Sequence, residues 1–476
     1  MKGQILDEPD LEFALGSRHI DPRHGIEFYG PADVENSAVR TIRVGIVGTR
    51  DAIAGVKRWL DSCRSPIARK PSHLTGLFRD FPGFDRAVGF RSTIEWDPRL
   101  ERQLDKRALE QTRGLNPLHA LSEIVGLYAA ELSVLDEEPN CDVIIVCRPD
   151  TIEGPGIQGG AIGGGAVSPP RRTGDEFRSL LKARSLGLKR PIQIIRQQTW
   201  DPSYKPQDRT TLRGQQDTAT KAWNLHTALY YKAGGVPWRM VRSSQDLASC
   251  YVGVAFYRSN DHETLQTSVA QIFNQRGDGV IVRGAPAVQS KDDRQPHLAG
   301  EDAKDLLERA LARYRDEHRN LPARVVLHKA SSFTPAEIEG FRAAADADRI
   351  SLLELVWIPR GETFRLFRDG EYPPLRGTLF SFDDQRHALY TRGSVPLYKT
   401  YAGMYVPVAL PFRLVDVESS PEDIASEILT LSKMNWNSTQ LDERLPITLR
   451  TASAIGEILK YVPETDAPAG SYAYYM

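Results

Sequence analysis

The sequence predicts an α/β protein with a parallel, Rossmann-like sheet domain over 41–240 followed by an RNase-H-like domain over 241–476. Residues 1–40 are expected to be a lead-in packing on the body. Three observations predict this. In the first half, short apolar runs alternate with helical stretches, which implies strands laid parallel with helices between them. In the second half, a strand meander precedes a further alternation of helices and strands. The 476 residues are 41% hydrophobic and 26% charged, which is enough apolar content for two or three domains with real cores.

The elements follow in order. Residues 1–40 are polar and turn-rich (DPRHGIEFYGPADVE). TIRVGIVG (41–48) reads as a buried strand and AIAGVKRWLDSC (52–63) as the helix after it. CDVIIVCRP (141–149) is a second buried strand. GPGIQGGAIGGGAVSPP (154–170) is expected to be a flexible linker. No Gly-Lys-Ser/Thr follows its glycines, and Pro169-Pro170 stops a helix from starting, so it is not a phosphate loop. Residues 175–185 read as a helix, PIQII (191–195) as a strand and 218–232 as a helix stopped by Gly234-Gly235. SCYVGVAFYR (249–258) opens the second half, with a meander over 267–284 turning at 277–279. A helix (301–317), the strand ARVVLHKA (323–330), a helix (334–345) and the strand ISLLELVWI (350–358) follow. Two helices, near 421–434 and 448–460, close the chain. No internal repeat is visible.

Composition narrows the function classes. Mean hydropathy is -0.39, and no apolar run is expected to approach the roughly 18–20 residues of a membrane span. The start, MKGQILDEPDLEF, has no signal-peptide pattern. Cys63, Cys141, Cys147 and Cys250 form no C-x-x-C pair, so neither a zinc site nor a disulfide framework is predicted. The expected compartment is the cytoplasm. The net charge of -1 hides an asymmetry: residues 171–242 hold 15 Lys/Arg and 5 Asp/Glu, a balance of +10, leaving -11 elsewhere. A basic block in an otherwise acidic chain is the footprint of a polyanion site.

Within that block four side chains suit one terminal phosphate. Arg178 and Lys182 lie four apart on a helix and share a face. Gln193 sits in the following strand, and Lys232 ends the next helix. Ligands of parallel sheets bind at the carboxyl ends of strands, where these groups are expected to converge. Arg offers a planar fork, Lys a point charge and Gln a neutral amide donor. Each residue alone has a plainer reading: a solvated helix cation, a polar strand end, or a lysine favouring its own helix dipole.

FRSLLKAR (177–184), PIQIIRQQTW (191–200) and ALYYKAGGVPW (228–238) resemble the MID domain of short prokaryotic Argonautes. That pattern is an aromatic followed by His/Arg/Tyr-x-x-x-Lys, a Gln strand about eleven residues on, and Tyr-Lys-Ala-Gly-Gly-x-Pro-Trp; here Lys182 to Gln193 is eleven. The resemblance continues through DPRHGIEFYGP, TRGSVPLYKTYAGMYVP (391–407), KMNWNSTQ (433–440) and LPITLRTASAIGEIL (445–459), nearly the whole chain. It implies a MID domain followed by a PIWI domain. It also implies that Arg178, Lys182, Gln193 and Lys232 hold the 5′-phosphate of a guide strand. It assigns the terminal carboxylate, here on Met476, to a Mg²⁺ ion bridging to that phosphate. Arg392, Lys399, Asn437 and Arg450, in the family-like blocks, are expected to track the nucleic-acid backbone, which gives affinity without sequence readout.

Active Argonautes cut with a cluster of carboxylates that holds two metal ions. The matching positions here are Ala255, in Val252-Gly253-Val254-Ala255-Phe256, and Ala330, in Lys329-Ala330-Ser331. Asp246 and Asp278 lie nearby in sequence but not at the expected places. The resemblance therefore implies a silent PIWI domain with no enzymatic activity of its own. Too little length precedes the MID-like segments for N-terminal and PAZ-like domains. The implied partners are a guide RNA, a single-stranded DNA target and an effector protein with a PAZ-analogous region. That effector would carry an NAD⁺-hydrolysing sirtuin-like or, less in keeping, TIR domain, in defence against plasmids and phage by abortive infection. No membrane partner is expected. The rivals are an active guided endonuclease, a nucleic-acid-independent interaction protein and a dinucleotide-binding enzyme. The last would need G-x-G-x-x-G, which GIVGTR (45–50) lacks.

Overall fold

The long apolar runs become the buried centres of two sheets in a computed structural model of the chain. The structure describes all residues except 1, 35–39, 75, 150–172, 205–215, 242–246, 260–263, 274–278, 362–363, 404 and 464–470. The linker expected over 154–170, Asp246 and Asp278 therefore lie outside the described residues. The chain divides into two compact units, one of Ser37–Lys70 with Asp80–Gly235, the other of Met1–Asn36, Pro71–Arg79 and Val236–Met476.

The first unit contains, in order, β1 (Arg40–Gly48), α1 (Arg50–Ser62), β2 (Ser92–Glu95), β3 (Glu101–Gln103), α2 (Pro117–Asp136), β4 (Val143–Cys147), α3 (Thr173–Arg184), β5 (Ile192–Ile195) and α4 (Thr218–Lys232). The strands run β2-β1-β4-β5, with β3 also on β1, and every pairing is parallel. This is the Rossmann-like sheet expected. β4 is buried at every residue, which is why it reads as one apolar run. Side-chain caps start the helices: Thr49 accepts from Ala52 N ahead of α1, and Asp217 from Thr220 N ahead of α4. The helix α2 was not read from the sequence. By length and composition alone it could cross a membrane, contrary to the expectation that no stretch would. Its Leu121, Ile124, Val125, Tyr128, Leu132 and Leu135 instead pack with Ile144, Val146, Phe177 and Leu181 in the core of this unit.

The second unit is built on a nine-stranded sheet. Its elements are β6 (Ser249–Arg258), β7 (Leu265–Phe273), β8 (Gly279–Pro286), α5 (Gly300–His318), β9 (Arg324–Lys329), α6 (Pro335–Ala347), β10 (Leu352–Trp357), β11 (Thr378–Ser381), β12 (Arg386–Leu389), β13 (Leu410–Asp416), α7 (Pro421–Leu431) and α8 (Ile447–Leu459). The order is Lys2–Ile5, β11, β12, β13, β10, β9, β6, β7, β8. β6, β9 and β10 are parallel, and the remaining pairings are antiparallel. This mixed sheet is the RNase-H-like architecture expected. The helices α5 and α6 cover one face, where Leu306, Leu307, Phe341 and Ala344 meet Val252, Val254 and Leu327.

α8 lies close against β6. A Cβ at Gly253 would stand 2.3 Å from the Thr448 carbonyl oxygen, so only glycine allows that approach. The lead-in is part of this unit. Lys2–Ile5 pairs with β11, and Asp21 caps the helix Pro22–Tyr29 while accepting from Tyr398 Oη at 2.6 Å. Residues 71–79, inside the span predicted for the first sheet domain, also belong here, and buried Arg23 donates to Leu77 O at 2.9 Å.

Candidate phosphate site and nucleic-acid interface

Phe177 and Leu181, fully buried, press α3 onto its sheet and so fix the direction of its next face. That face carries Arg178 and Lys182. Lys182 is 1% exposed and donates to Ile192 O at 3.4 Å. Lys232, 5% exposed, donates to the same oxygen at 3.0 Å and to Gln193 Oε1 at 2.6 Å. Two ammonium groups from different helices thus share one carbonyl. Burial, then Lys232, then Arg178 push the Lys182 pKa well below the lysine range. Burial, then Arg178, do the same to Lys232. The four predicted residues come together.

Their place differs from the prediction in one respect. Ile192 opens β5, so the cluster stands at the amino end of that strand, not the carboxyl end. The reason lies in the helices: Lys182 and Lys232 occupy the last turns of α3 and α4, where α3 ends just before β5 begins and α4, which follows β5, ends with Lys232 back beside the Ile192 carbonyl. Among the described residues, the helix ends at this point are carboxyl-terminal, and cationic side chains supply the field. Each lysine also stands at the negative end of its own helix, as the plainer reading expects.

The second unit gathers another set of cations. Arg392 donates from Nε to Asp442 O at 2.8 Å, and Arg450, on α8, pairs with Glu443. Asn435 donates to the same Glu443 at 3.1 Å, and Asn437 N donates to Asn435 Oδ1 at 3.2 Å. Arg392, Asn437 and Arg450 therefore belong to one neighbourhood. Lys399 is exposed, with a left-handed φ of 54°, and no described contact joins it to the other three. Sequence reading missed Arg444 and Arg365. Burial, then Arg392, then Arg365 lower the Arg444 pKa, and Arg444 Nε is buried without a hydrogen-bond partner. These arginines are far apart in sequence, and no motif joins them.

Ala255 lies on β6 and is 1% exposed. Val254 faces Lys329 in parallel register, and Ala330 N donates to Val254 O at 3.1 Å, so Ala330, just past the end of β9, sits beside Ala255 within β6. Among the described residues no group of three or more His, Cys, Asp or Glu could hold a metal ion. Met476 is in this unit and 8% exposed.

No protein-family model matches the chain, and no curated protein matches it. Solved structures do. Clostridium butyricum Argonaute bound to a guide DNA and a 19-mer target DNA is 16% identical, with a TM-score of 0.65. The match covers 98% of this chain and 53% of that one. The fold is Argonaute-like. Drosophila Piwi (TM-score 0.61, 13% identity, 99% of this chain and 56% of that one) gives the same result. So does Aa-Ago with externally bound siRNA (0.60, 14%, 100% and 56%). The chain thus spans a little over half the length of these structures. The parallel-sheet unit and the nine-stranded unit are the MID and PIWI architectures of the Argonaute-like fold.

Proposed function

We propose that the chain holds a guide strand, RNA in our reading, by its 5′-phosphate, pairs it with single-stranded DNA and signals target binding without cutting. One observation carries the proposal: Lys182, Lys232, Gln193 and Arg178 converge from three elements on one point, at the cost of depressed lysine pKa values. A phosphate dianion there would favour the charged lysines and offset that cost. The Argonaute-like fold supports a nucleic acid over a small anion, since Clostridium butyricum Argonaute, which shares that fold, is bound to guide and target DNA. The alanines at 255 and 330 support a sensor over a nuclease, because alanine neither ligates a metal nor takes a proton.

The four side chains fit a phosphate; they do not by themselves fit Mg²⁺. Their one oxygen donor, Gln193 Oε1, already accepts from Lys232. A magnesium ion would need a carboxylate from elsewhere, the part the resemblance gives to Met476. The proposal includes a separate effector protein that hydrolyses NAD⁺ once target is paired, in cytoplasmic defence; it rests on the resemblance of the MID-like and PIWI-like blocks. Purifying the chain with its genomic neighbour and following NAD⁺ on addition of target tests that part.

The phosphate site has its own test. Lys182→Ala with Lys232→Ala should weaken 5′-phosphorylated guides by about 100-fold, at roughly 1.5 kcal/mol for each charged contact. Guides ending in a 5′-hydroxyl should lose far less. Equal losses for both guides in a filter-binding titration would reject the phosphate role.

A further inference from the structure

At the end of the nine-stranded sheet, beside the two alanines, a cation stands where carboxylates would be needed for cutting. Ala255, Ala330 and Ile358 are neighbours across three parallel strands: Ala330 N donates to Val254 O, and Ile358 N donates to Lys329 O at 2.9 Å. Arg360 follows two residues after Ile358, beyond the end of β10. It is exposed, and its guanidinium donates to Ser453 Oγ on α8.

The position of Ser453 can be placed along β6. Thr448 lies against Gly253, and Gly456 lies against Tyr257. Helix and strand therefore run in step, and the intervening turn of α8, carrying Ala452 and Ser453, is level with Ala255. Ser453 thus holds the Arg360 guanidinium at the level of the alanines. Arg450, three residues before Ser453, continues the basic edge along the same helix face.

A two-metal nuclease surrounds this place with anions and must recruit cations before a phosphodiester can approach. Here an arginine, Arg360, stands near that place instead. We propose that Arg360 grips a phosphate of the target strand directly, at the sheet end where a nuclease of this fold would hold its metal ions, so that the target is retained uncut. The strand is the target, because the strand presented to a cutting centre is the one to be cut. This proposal rests on the guided reading above and adds a residue and a step to it. Ser453 is a positioning residue, since it acts only through the guanidinium.

The test uses the full chain loaded with a 5′-phosphorylated guide. Arg360→Ala should leave guide affinity and melting temperature unchanged and release complementary target about 10-fold faster, as expected for one charged contact. The log-log salt slope of target binding should fall by about one. Targets carrying a single neutral methylphosphonate, moved one linkage at a time, should show one linkage that matters to the native chain. That linkage should lose its effect in Arg360→Ala, the coupling of a double-mutant cycle. Methylphosphonates in the guide should show no such coupling. Arg360→Lys should recover part of the retention, and Ser453→Ala should cost less than Arg360→Ala. Unchanged release in Arg360→Ala, or losses that simply add at every linkage, would overturn the proposal while leaving guide binding intact. Failure of the native chain to load any guide would instead overturn the underlying reading, and this one with it.

Discussion

Lys182 and Lys232 give the carbonyl of Ile192 two buried ammonium donors, and each lowers its own proton affinity by being there. The consequence for binding has a definite sign. Burial and neighbouring positive charge lower both pKa values in the free protein. A phosphate dianion between the lysines raises them again. Between the lowered values and the ordinary lysine value of about 10.4, binding must take up protons. Affinity for a 5′-phosphorylated guide should therefore fall as pH rises through that window. A 5′-hydroxyl guide should show little of this fall. Isothermal titration in two buffers of different ionisation enthalpy reads the proton uptake directly; equal heats would remove the lysines from the phosphate. The spacing of Arg178, Lys182 and Gln193 was legible in the sequence. The sharing of one carbonyl by two helix ends was not, because it depends on where α3 and α4 stop relative to β5.

At the scale of elements, legibility followed burial. β4, β6 and β9 are buried along nearly their whole length and carry an apolar run, unbroken in β4 and central in β6 and β9. β11 and β12 are four residues each and mix polar with apolar positions, TLFS and RHAL, so neither period nor length marks them. The helix α2 has its core residues at helical spacing, but Leu118, Leu127, Ala129, Ala130 and Val134 put apolar side chains on its other faces too and blur that stripe. Gly253 looked like an ordinary strand residue, yet it sets the distance between β6 and α8. Gly253→Ala would bring Cβ within 2.3 Å of the Thr448 carbonyl oxygen and 2.4 Å of its carbon. Backbone atoms at that range cannot step aside, so the helix must move. Overpacking of this kind costs about 1–3 kcal/mol. The variant should melt several degrees lower in calorimetry and should keep its preference for a 5′-phosphate, whose site is in the other unit. An unchanged melting temperature would contradict the close α8–β6 packing.

For the whole molecule, the charge asymmetry of the sequence pointed to the stretch 171–242, which holds the clustered Arg178, Lys182 and Lys232, while the full extent of the second basic set stayed hidden. Arg365, Arg392 and Arg444 meet only after the fold brings distant loops together. The same holds for the two alanines near the sheet end. Ala255 and Ala330 were each visible, but the structure adds that they are adjacent and that one carboxylate near β9, Glu337, is already engaged. Glu337, fully buried, pairs with Lys329 at 2.9 Å and accepts from Leu298 N at 2.8 Å. Two-metal cleavage needs several anionic oxygens around one point. Restoring only two of them should therefore be insufficient. With guide, complementary target and Mn²⁺, neither the native chain nor Ala255→Asp with Ala330→Asp should give a discrete product on a sequencing gel. A product from the native chain would overturn the sensor reading. A product from the double variant alone would show that further ligands stand ready at the sheet end, making the two alanines, and not the loss of a larger cluster, the cause of the silence.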